Sequence, residues 1–504
     1  MNPLDRLIGW VSPAAGLSRV RARAALGMLM SSRAYDGAKI GRRGNGRAPS
    51  TSANAEIGPA GVRLRNRARD LVRNNPHAAR IVEIMATNVI GAGIVPVSKT
   101  GVRSVDKKVN DLWTRFSDTC DADGQLDFYG LQALALRSMS EAGEVIARFR
   151  PRRLEDGLPV PLQIQVLEAD FIDGARHGAA VSGDRAVLGV AFDGVGRRSG
   201  YWMFREHPGE MTTINIESVR VPAADVLHLY RKLRPGQVRG VTPFAPIMNI
   251  ARDIGDVIEA SVVKMHIEAC FSGFVTMSEE TGRAPVGSEK RDENGQRVQS
   301  FEPGMLTYLK PGESVAFGQP SASTSFDPLL VQFLMAMSIG AGVTYDQMTG
   351  DLRQANYSSL RAGKIEFRGV VEQIQHHAVI PMWCAPVWRR FVEAAVLSGA
   401  LPRRAQGYPV QWIVPAYQPI DPLKDLQADI IAVRSGRMTW PQFVAAWGYD
   451  PDAQLEEIVL YNGLFDAGGV VLDTDPRRTA RAGSAQQTAS AQQPAADAED
   501  PADA

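Results

Sequence analysis

Residues 63–95 read RLRNRARDLVRNNPHAARIVEIMATNVIGAGIV, and this stretch decides how the rest of the chain is read. Its first part is dense in arginine: Arg63, Arg65, Arg67, Arg69, Arg73 and Arg80. Its last third is apolar and ends in Gly91-Ala92-Gly93, where the missing Cβ atoms let the backbone leave a helix sharply. Spacing alone gives a basic helix followed by a tight turn. Nothing in the pattern is catalytic.

The words of the stretch carry more than its spacing. The run from Arg65 to Pro76 fits R-x-R-x-R-D-L-x-R-N-N-P, and the run from Asn88 to Ile94 fits N-x-[VI]-G-x-G-I. Both resemble the start of the shared domain in the lambda family of tailed-phage portal proteins. Further blocks follow in the same order as in that family. Cys120-Asp121-Ala122-Asp123-Gly124 leads through Phe128 to Gly143-Glu144-Val145. Val226-Leu227-His228-Leu229-Tyr230 precedes the run from Arg234 to Val241. Asp351 to Gly363 reads DLRQANYSSLRAG. The resemblance spans about residues 60 to 400 and fades beyond about 470.

Bulk properties set bounds. The 504 residues suggest several domains or one multi-part subunit. At 44% hydrophobic and 22% charged, the chain has ordinary globular composition and can bury a sizeable core. Lys+Arg is 56 against Asp+Glu 55, a net charge of +1. A protein that grips nucleic acid by neutralising phosphates carries a strongly basic balance, so this composition suits a surface that DNA passes without sticking. Cys120, Cys270 and Cys384 are far apart and odd in number, which implies buried small hydrophobes rather than a disulfide framework. No stretch approaches ~18 uninterrupted apolar residues, so no membrane span is expected.

Along the chain, residues 1–60 read as a flexible basic arm with a short helix near 18–33. Residues 61–142 read as helices broken at Gly91-Ala92-Gly93. From Gly143 the period turns to strands: 145–149, 162–167, 186–192, 201–205 and 226–230 are short β-rich runs between Pro and Gly clusters. A helix from Phe244 to Phe271 follows, roughly 40 Å long at ~1.5 Å per residue. Residues 272–324 are irregular with short strands, and Asp327 to Val343 forms a second apolar helix. Thr344 to Gln354 is a loop containing Gly350. It feeds a long helix from about Ala355 to Leu397, which Pro381 and Pro386 should kink. Asp421-Pro422, Thr439-Trp440-Pro441 and Asp450-Pro451-Asp452 are start signals for three short helices. Residues 484–504 contain no Lys or Arg and cannot bury enough apolar surface to order.

The resemblance gives these segments roles. It implies an α+β, elongated portal-type subunit with wing, helical stem, clip, long kinked helix and helical crown, in a cyclic ring. The wing is 61–243, the stem helices 244–271 and 325–343, and the clip 272–324 between them. The tunnel loop is 344–354, the long kinked helix and return to the wing 355–419, the crown 420–470, and a disordered acidic tail 471–504. It also implies a homo-oligomer of twelve subunits and double-stranded DNA passing through the channel. Its partners would be a terminase, a major capsid protein or scaffold, and a head-completion or tail connector protein, with localisation in the virion.

No G-x-x-x-x-G-K-[ST] and no G-x-S-x-G occurs, so any packaging energy comes from a separate motor. No cofactor and no metal site is expected. His376-His377 are adjacent and diverge on a helix, Asp121-Ala122-Asp123-Gly124 lacks the later ligands of a calcium loop, and Asp193-Gly194-Val195-Gly196 suits a β-turn. The rival enzyme reading is a metal-dependent nuclease built from Glu141, Glu144 and Asp170. The tunnel-loop candidates are Asp351, Leu352, Arg353 and Gln354. Arg353 either faces DNA on the ring axis or pairs with Asp351 or Asp346. Arg63, Arg67, Arg69, Arg73 and Arg80 spread around their helix rather than lining one face. They are read as subunit-interface arginines meeting acids, with a nucleic-acid-binding helix as the alternative.

Overall fold

The computed structural model describes residues 50–179, 185–210, 217–270, 274–277, 313–316, 326–353, 355–417, 419, 421–472 and 474–478. The arm up to residue 49, most of 272–324, Gln354 and the tail beyond 478 lie outside the described residues. Residues 1–56 and 57–504 are two separate compact units, and all that follows concerns the second.

The arginine-rich stretch is helical as α1 (Ala53–Asn74) and α2 (Pro76–Val89). Asn75 stops the first and starts the second, its side chain accepting from the amides of His77 and Ala78 while Pro76 sits where no N–H is needed. At the end of α2 the chain turns at Gly93, with φ of 122°. A Cβ there would lie 2.3 Å from the Tyr129 ring, so only glycine fits. Two buried glutamines hold the turn. Gln132 accepts from Ile94 N at 2.8 Å and donates to Ile94 O at 3.0 Å, and Gln375 Nε2 donates to Val89 O at 2.8 Å.

Then come β1 (Val95–Ser98), α3 (Arg103–Ser117) and α4 (Phe128–Ala142), followed by β2 (Glu144–Pro151) and β3 (Leu162–Glu168). A five-stranded antiparallel sheet follows from β4 (Gly178–Ala179), β5 (Arg185–Val187), β6 (Val190–Phe192), β7 (Arg198–Phe204) and β8 (Ser218–Pro222). The single strand expected at 186–192 is a tight hairpin, because Leu188 and Gly189 take φ of 49° and 84°. β9 (Val226–Tyr230) returns to β2, giving the three-stranded order β3-β2-β9.

Helix α5 (Met248–Cys270), the hairpin β10 (Phe274–Met277) with β11 (Glu313–Ala316), and helix α6 (Phe326–Ala341) come next. The expected loop at 344–354 contains a short helix, α7 (Tyr345–Thr349), closed by a Thr344–Gln347 capping box and by Gly350 in the left-handed region. α8 (Tyr357–Ile374) and α9 (Ala385–Leu397) are joined without a break by the π-helical segment Gln375–Cys384. Pro381 lies in that segment. A proline in an α-helix clashes with the carbonyl four residues back and breaks the ladder, and here the chain takes the wider winding, with Ala385 N donating to Ile380 O. β12 (Val410–Ile413) pairs antiparallel with β1, and α10 (Pro422–Arg434), α11 (Trp440–Ala446) and α12 (Pro451–Gly468) complete the chain. Asp421, Thr439 and Asp450 cap these three helices through their side chains.

The main core joins α2, α3, α4, the three-stranded sheet and the long helix. Trp113 is its centre, with ring centroids 4.9 Å from Phe128, 5.0 Å from Phe391 and 5.3 Å from Trp388. Edge-on packing of this kind adds about 0.5–1.5 kcal/mol per pair to the burial itself. Cys120 and Cys384 are free and buried in this core, and burial pushes both thiols well above their ordinary range.

Candidate functional site

The most heavily charged part of the interior is built around Glu144. The carboxylate sits at the start of β2, just after Gly143, whose φ of 91° ends α4. Arg239 grips it through Nε at 2.9 Å and Nη2 at 2.6 Å. Arg65 of α1 adds Nη1 at 3.4 Å, His228 of β9 lies at 3.0 Å, and the Gly240 amide donates at 2.7 Å. All four side chains are buried. Burial alone would raise the Glu144 carboxyl. The Arg239 charge, with hydrogen bonds from His228 and Arg239, outweighs it and holds the group well below the carboxylate range.

A second carboxylate extends the hub. Asp170 Oδ1 accepts from Arg65 Nε and Nη2 at 3.2 and 3.1 Å, and Asp170 Oδ2 from Arg69 at 2.6 Å. Arg69 also meets Glu168 at 2.9 Å. Spacing of four on α1 puts Arg65 and Arg69 on one face, over the sheet. Glu168, Asp170 and His207 lie close enough together to suggest a metal cluster, but Arg69 already bridges the two carboxylates with its own positive charge. The nuclease grouping fares the same way: Glu144 and Asp170 are held by guanidinium groups rather than open to a metal.

His228 has a fixed tautomer. Its Nδ1 faces Arg198 Nη1 at 3.0 Å, and arginine only donates. Its Nε2 therefore carries the proton and donates to Glu144. Burial lowers the imidazole to about 4, against the pull of Glu144, so the ring is neutral.

The interface arginines separate into two sets. Arg69 pairs within its own chain, and Arg80 Nε donates to the Gln347 carbonyl of α7 at 3.3 Å. Arg63, Arg67 and Arg73 are exposed and have no ion pair among the described residues. The sequence reading passed over Arg65, Glu144, His228 and Arg239 as site residues, although all four stand in the quoted blocks.

In the loop between α6 and α8, Arg353 forms a two-pronged pair with Asp351, Nε to Oδ1 at 2.9 Å and Nη2 to Oδ2 at 2.8 Å. Tyr345 Oη adds a bond to Asp351 at 3.1 Å, and Asp327 stands 4.0 Å from Arg353. Hydrogen bonds from Arg353 hold Asp351 far below the usual carboxylate range. Arg353 and Leu352 are exposed, at 70% for the Arg353 side chain and 59% for Leu352. Asp346 makes no ion pair with Arg353. The two apparent calcium and dinucleotide motifs are turns: Asp121 accepts from the amides of Asp123, Gln125 and Leu126, and Asp193 from those of Val195 and Arg197.

Thus the sequence blocks that open the chain's α+β region meet in space at one buried carboxylate. The family model of phage portal proteins, lambda family, matches residues 40–375. A probable portal protein of Halomonas phage phiHAP-1 is 26% identical over 418 residues, covering 78% of this chain and 79% of that protein. Portal protein B of Escherichia phage lambda is 22% identical over 453 residues, covering 80% and 84%. Among solved structures, a chain from the neck of an empty gene-transfer-agent particle aligns with a TM-score of 0.45 at 15% identity, covering 78% of this chain and 94% of that one. An HK97-family phage portal protein from Corynebacterium diphtheriae aligns with a TM-score of 0.31 at 8% identity, covering 71% and 96%. The chain belongs to the lambda family of phage portal proteins. Its function is that of a portal, a structural protein of the virion that serves genome packaging and acts as a cyclic oligomer in the phage head.

Proposed function

We propose that twelve copies of this chain close into a ring at one capsid vertex, through which double-stranded DNA enters and leaves. The observation that carries this reading is the apolar surface the single chain leaves uncovered. On α10, Leu423 is 67% and Ile431 64% exposed; on α12, Val459 is 63% and Leu460 60% exposed. Among the described residues of α12, only Pro451 is buried. Large apolar side chains grouped on whole helices need a partner to cover them. A head-to-tail contact between identical copies covers them and terminates by closing the ring. In this reading α5 and α6 are the stem, α10 to α12 the crown, and the loop around Arg353 the narrowest part of the channel. Arg63, Arg67 and Arg73 are then free to meet acids of the adjacent copy.

The ring docks a terminase on one side, meets the major capsid protein or scaffold around its rim, and later joins a head-completion or tail connector protein. Among the described residues no helix is long and apolar enough to cross a membrane.

Electron microscopy of the purified protein tests the proposal. End-on class averages should show rings with a hole wide enough for duplex DNA. A monomer or dimer that persists at high concentration and in the presence of scaffold overturns it. Arg353→Glu should leave the rings intact and abolish packaging, because it places a third acid beside Asp351 and Asp327. Packaging at the wild-type level by that variant removes the loop from the channel.

A further inference from the structure

A second charged region lies on the far side of His228 from Glu144. A cavity of about 590 Å³ opens there between β9 and the long helix. Its lining includes Arg198, Lys232, Arg389 and Arg390, with Tyr230 and Phe149 as aromatic wall. The volume is within the usual ~300–1,000 Å³ of small-molecule sites.

Arg198 is the informative residue. Its guanidinium is held by Tyr201 Oη at 2.8 Å, Tyr230 Oη at 2.5 Å, His228 Nδ1 at 3.0 Å and Val238 O at 3.0 Å. Every one of these partners is neutral, so the side chain is positioned by four groups and neutralised by none. Its charge is also in excess for the hub behind it. Arg65, Arg69, Arg198 and Arg239 are four positive charges, and Glu144, Glu168 and Asp170 are three negative ones, which leaves one positive charge facing the cavity. At the rim, Arg390 is paired with Asp225 at 2.9 Å and reaches Glu393 at 3.5 Å. Lys232 and Arg389 line the same cavity and have no ion pair among the described residues. Three rim cations against two rim anions add one more positive charge, for an excess of two. A buried cation without a counter-charge is unfavourable, and guanidinium groups match phosphate oxygens in geometry.

We infer that this cavity is a binding site for a phosphate monoester, a dianion carried on an organic group that packs against Tyr230 and Phe149. The phosphate carries about −1.5 to −2 at neutral pH, which matches the excess. Arg198 supplies the fixed, pre-positioned donor, and Lys232 and Arg389 supply the mobile ones.

The test uses phenyl phosphate as probe, titrated calorimetrically into the full-length wild-type protein at constant ionic strength and pH 7.5. Saturable binding is expected, and it should be about tenfold or more tighter than that of phenyl sulfate, which has the same shape and one charge fewer. The exposed-residue variant Lys232→Gln/Arg389→Gln keeps the buried hub and should weaken the probe about tenfold while melting with the wild type. Equal affinity for phosphate and sulfate esters, or undiminished binding in the double variant, overturns the site. So does a third result, in which phenyl phosphate fails and a short DNA duplex binds in a manner that requires Lys232 and Arg389: the cavity would then read a diester backbone instead.

Discussion

Replacing Glu144 with glutamine changes almost no volume and removes one charge, so it isolates what the carboxylate does. Its two oxygens accept from Arg239, Arg65, His228 and the Gly240 amide. A glutamine has one oxygen and one NH2 group. If the NH2 takes the place of Oε1, it opposes the Arg65 and Arg239 donors. If it takes the place of Oε2, it opposes the His228 and Gly240 donors, and His228 cannot offer its other nitrogen because Arg198 holds it. Both orientations leave buried donors facing a donor. Breaking one side of a buried ion pair in this way costs about 3–5 kcal/mol. At roughly 2.1 cal/mol/K per residue, a cooperative unit of several hundred residues has a melting entropy near 1 kcal/mol/K, so the midpoint should fall by about 3–5 °C. Differential scanning calorimetry of Glu144→Gln reads this directly. The companion variant Glu144→Leu/Arg239→Met removes both charges and should recover a large part of the loss. A Glu144→Gln protein that melts within 1 °C of wild type refutes the reasoning, since it would mean that the guanidinium groups need no counter-charge.

His228 is neutral in the fold at about 4 and has an ordinary value of 6.5 when unfolded, so the unfolded chain binds the extra proton between those limits. Stability from this group is complete above 6.5 and is lost as pH falls towards 4. The gap amounts to about 3 kcal/mol at roughly 1.36 kcal/mol per pH unit. Denaturant midpoints from pH 7.5 to 4.5 should drop more steeply for wild type than for His228→Gln, and parallel curves would remove His228 as the cause. Gly143→Ala should destabilise by about 2–4 kcal/mol, because the residue has a φ of 91° and its Cβ would lie 2.3 Å from Thr242 N. Soluble expression and a wild-type melting point for that variant would show that the α4–β2 junction can shift.

What was legible in the sequence was local. Asp421, Thr439 and Asp450 announce their helices because a cap needs only the next three residues. The runs at 145–149, 162–167 and 226–230 announce strands through their own β-rich composition. What was not legible depends on distant partners. β1 is four residues long and exists because Val410–Ile413 pairs with it from the far end of the chain. The π-helical segment follows from a proline inside a helix too well packed to break, and sequence alone gave a kink. The hub is the clearest case. Arg65 lies 79 residues from Glu144, and Arg239 lies 95 away. Each reads as an ordinary surface arginine until the sheet brings them to one carboxylate. Arg69, read as an interface residue, shares its helix face with Arg65 and so meets Asp170 at home. Hydrophobic periodicity has nothing to say about which arginines turn inward.

The pair of Arg353 with Asp351 bears on ionic strength. When a free cationic side chain binds a DNA phosphate, a counterion leaves the duplex, and the contact weakens steeply as salt rises. A phosphate that takes Arg353 leaves Asp351 bare, and the bare carboxylate gathers a cation from solution. One ion is released and about one is taken up. A channel lined with such pairs would hold DNA with nearly the same weak grip in dilute buffer and in a salt-rich capsid interior, whatever the length of genome already packed.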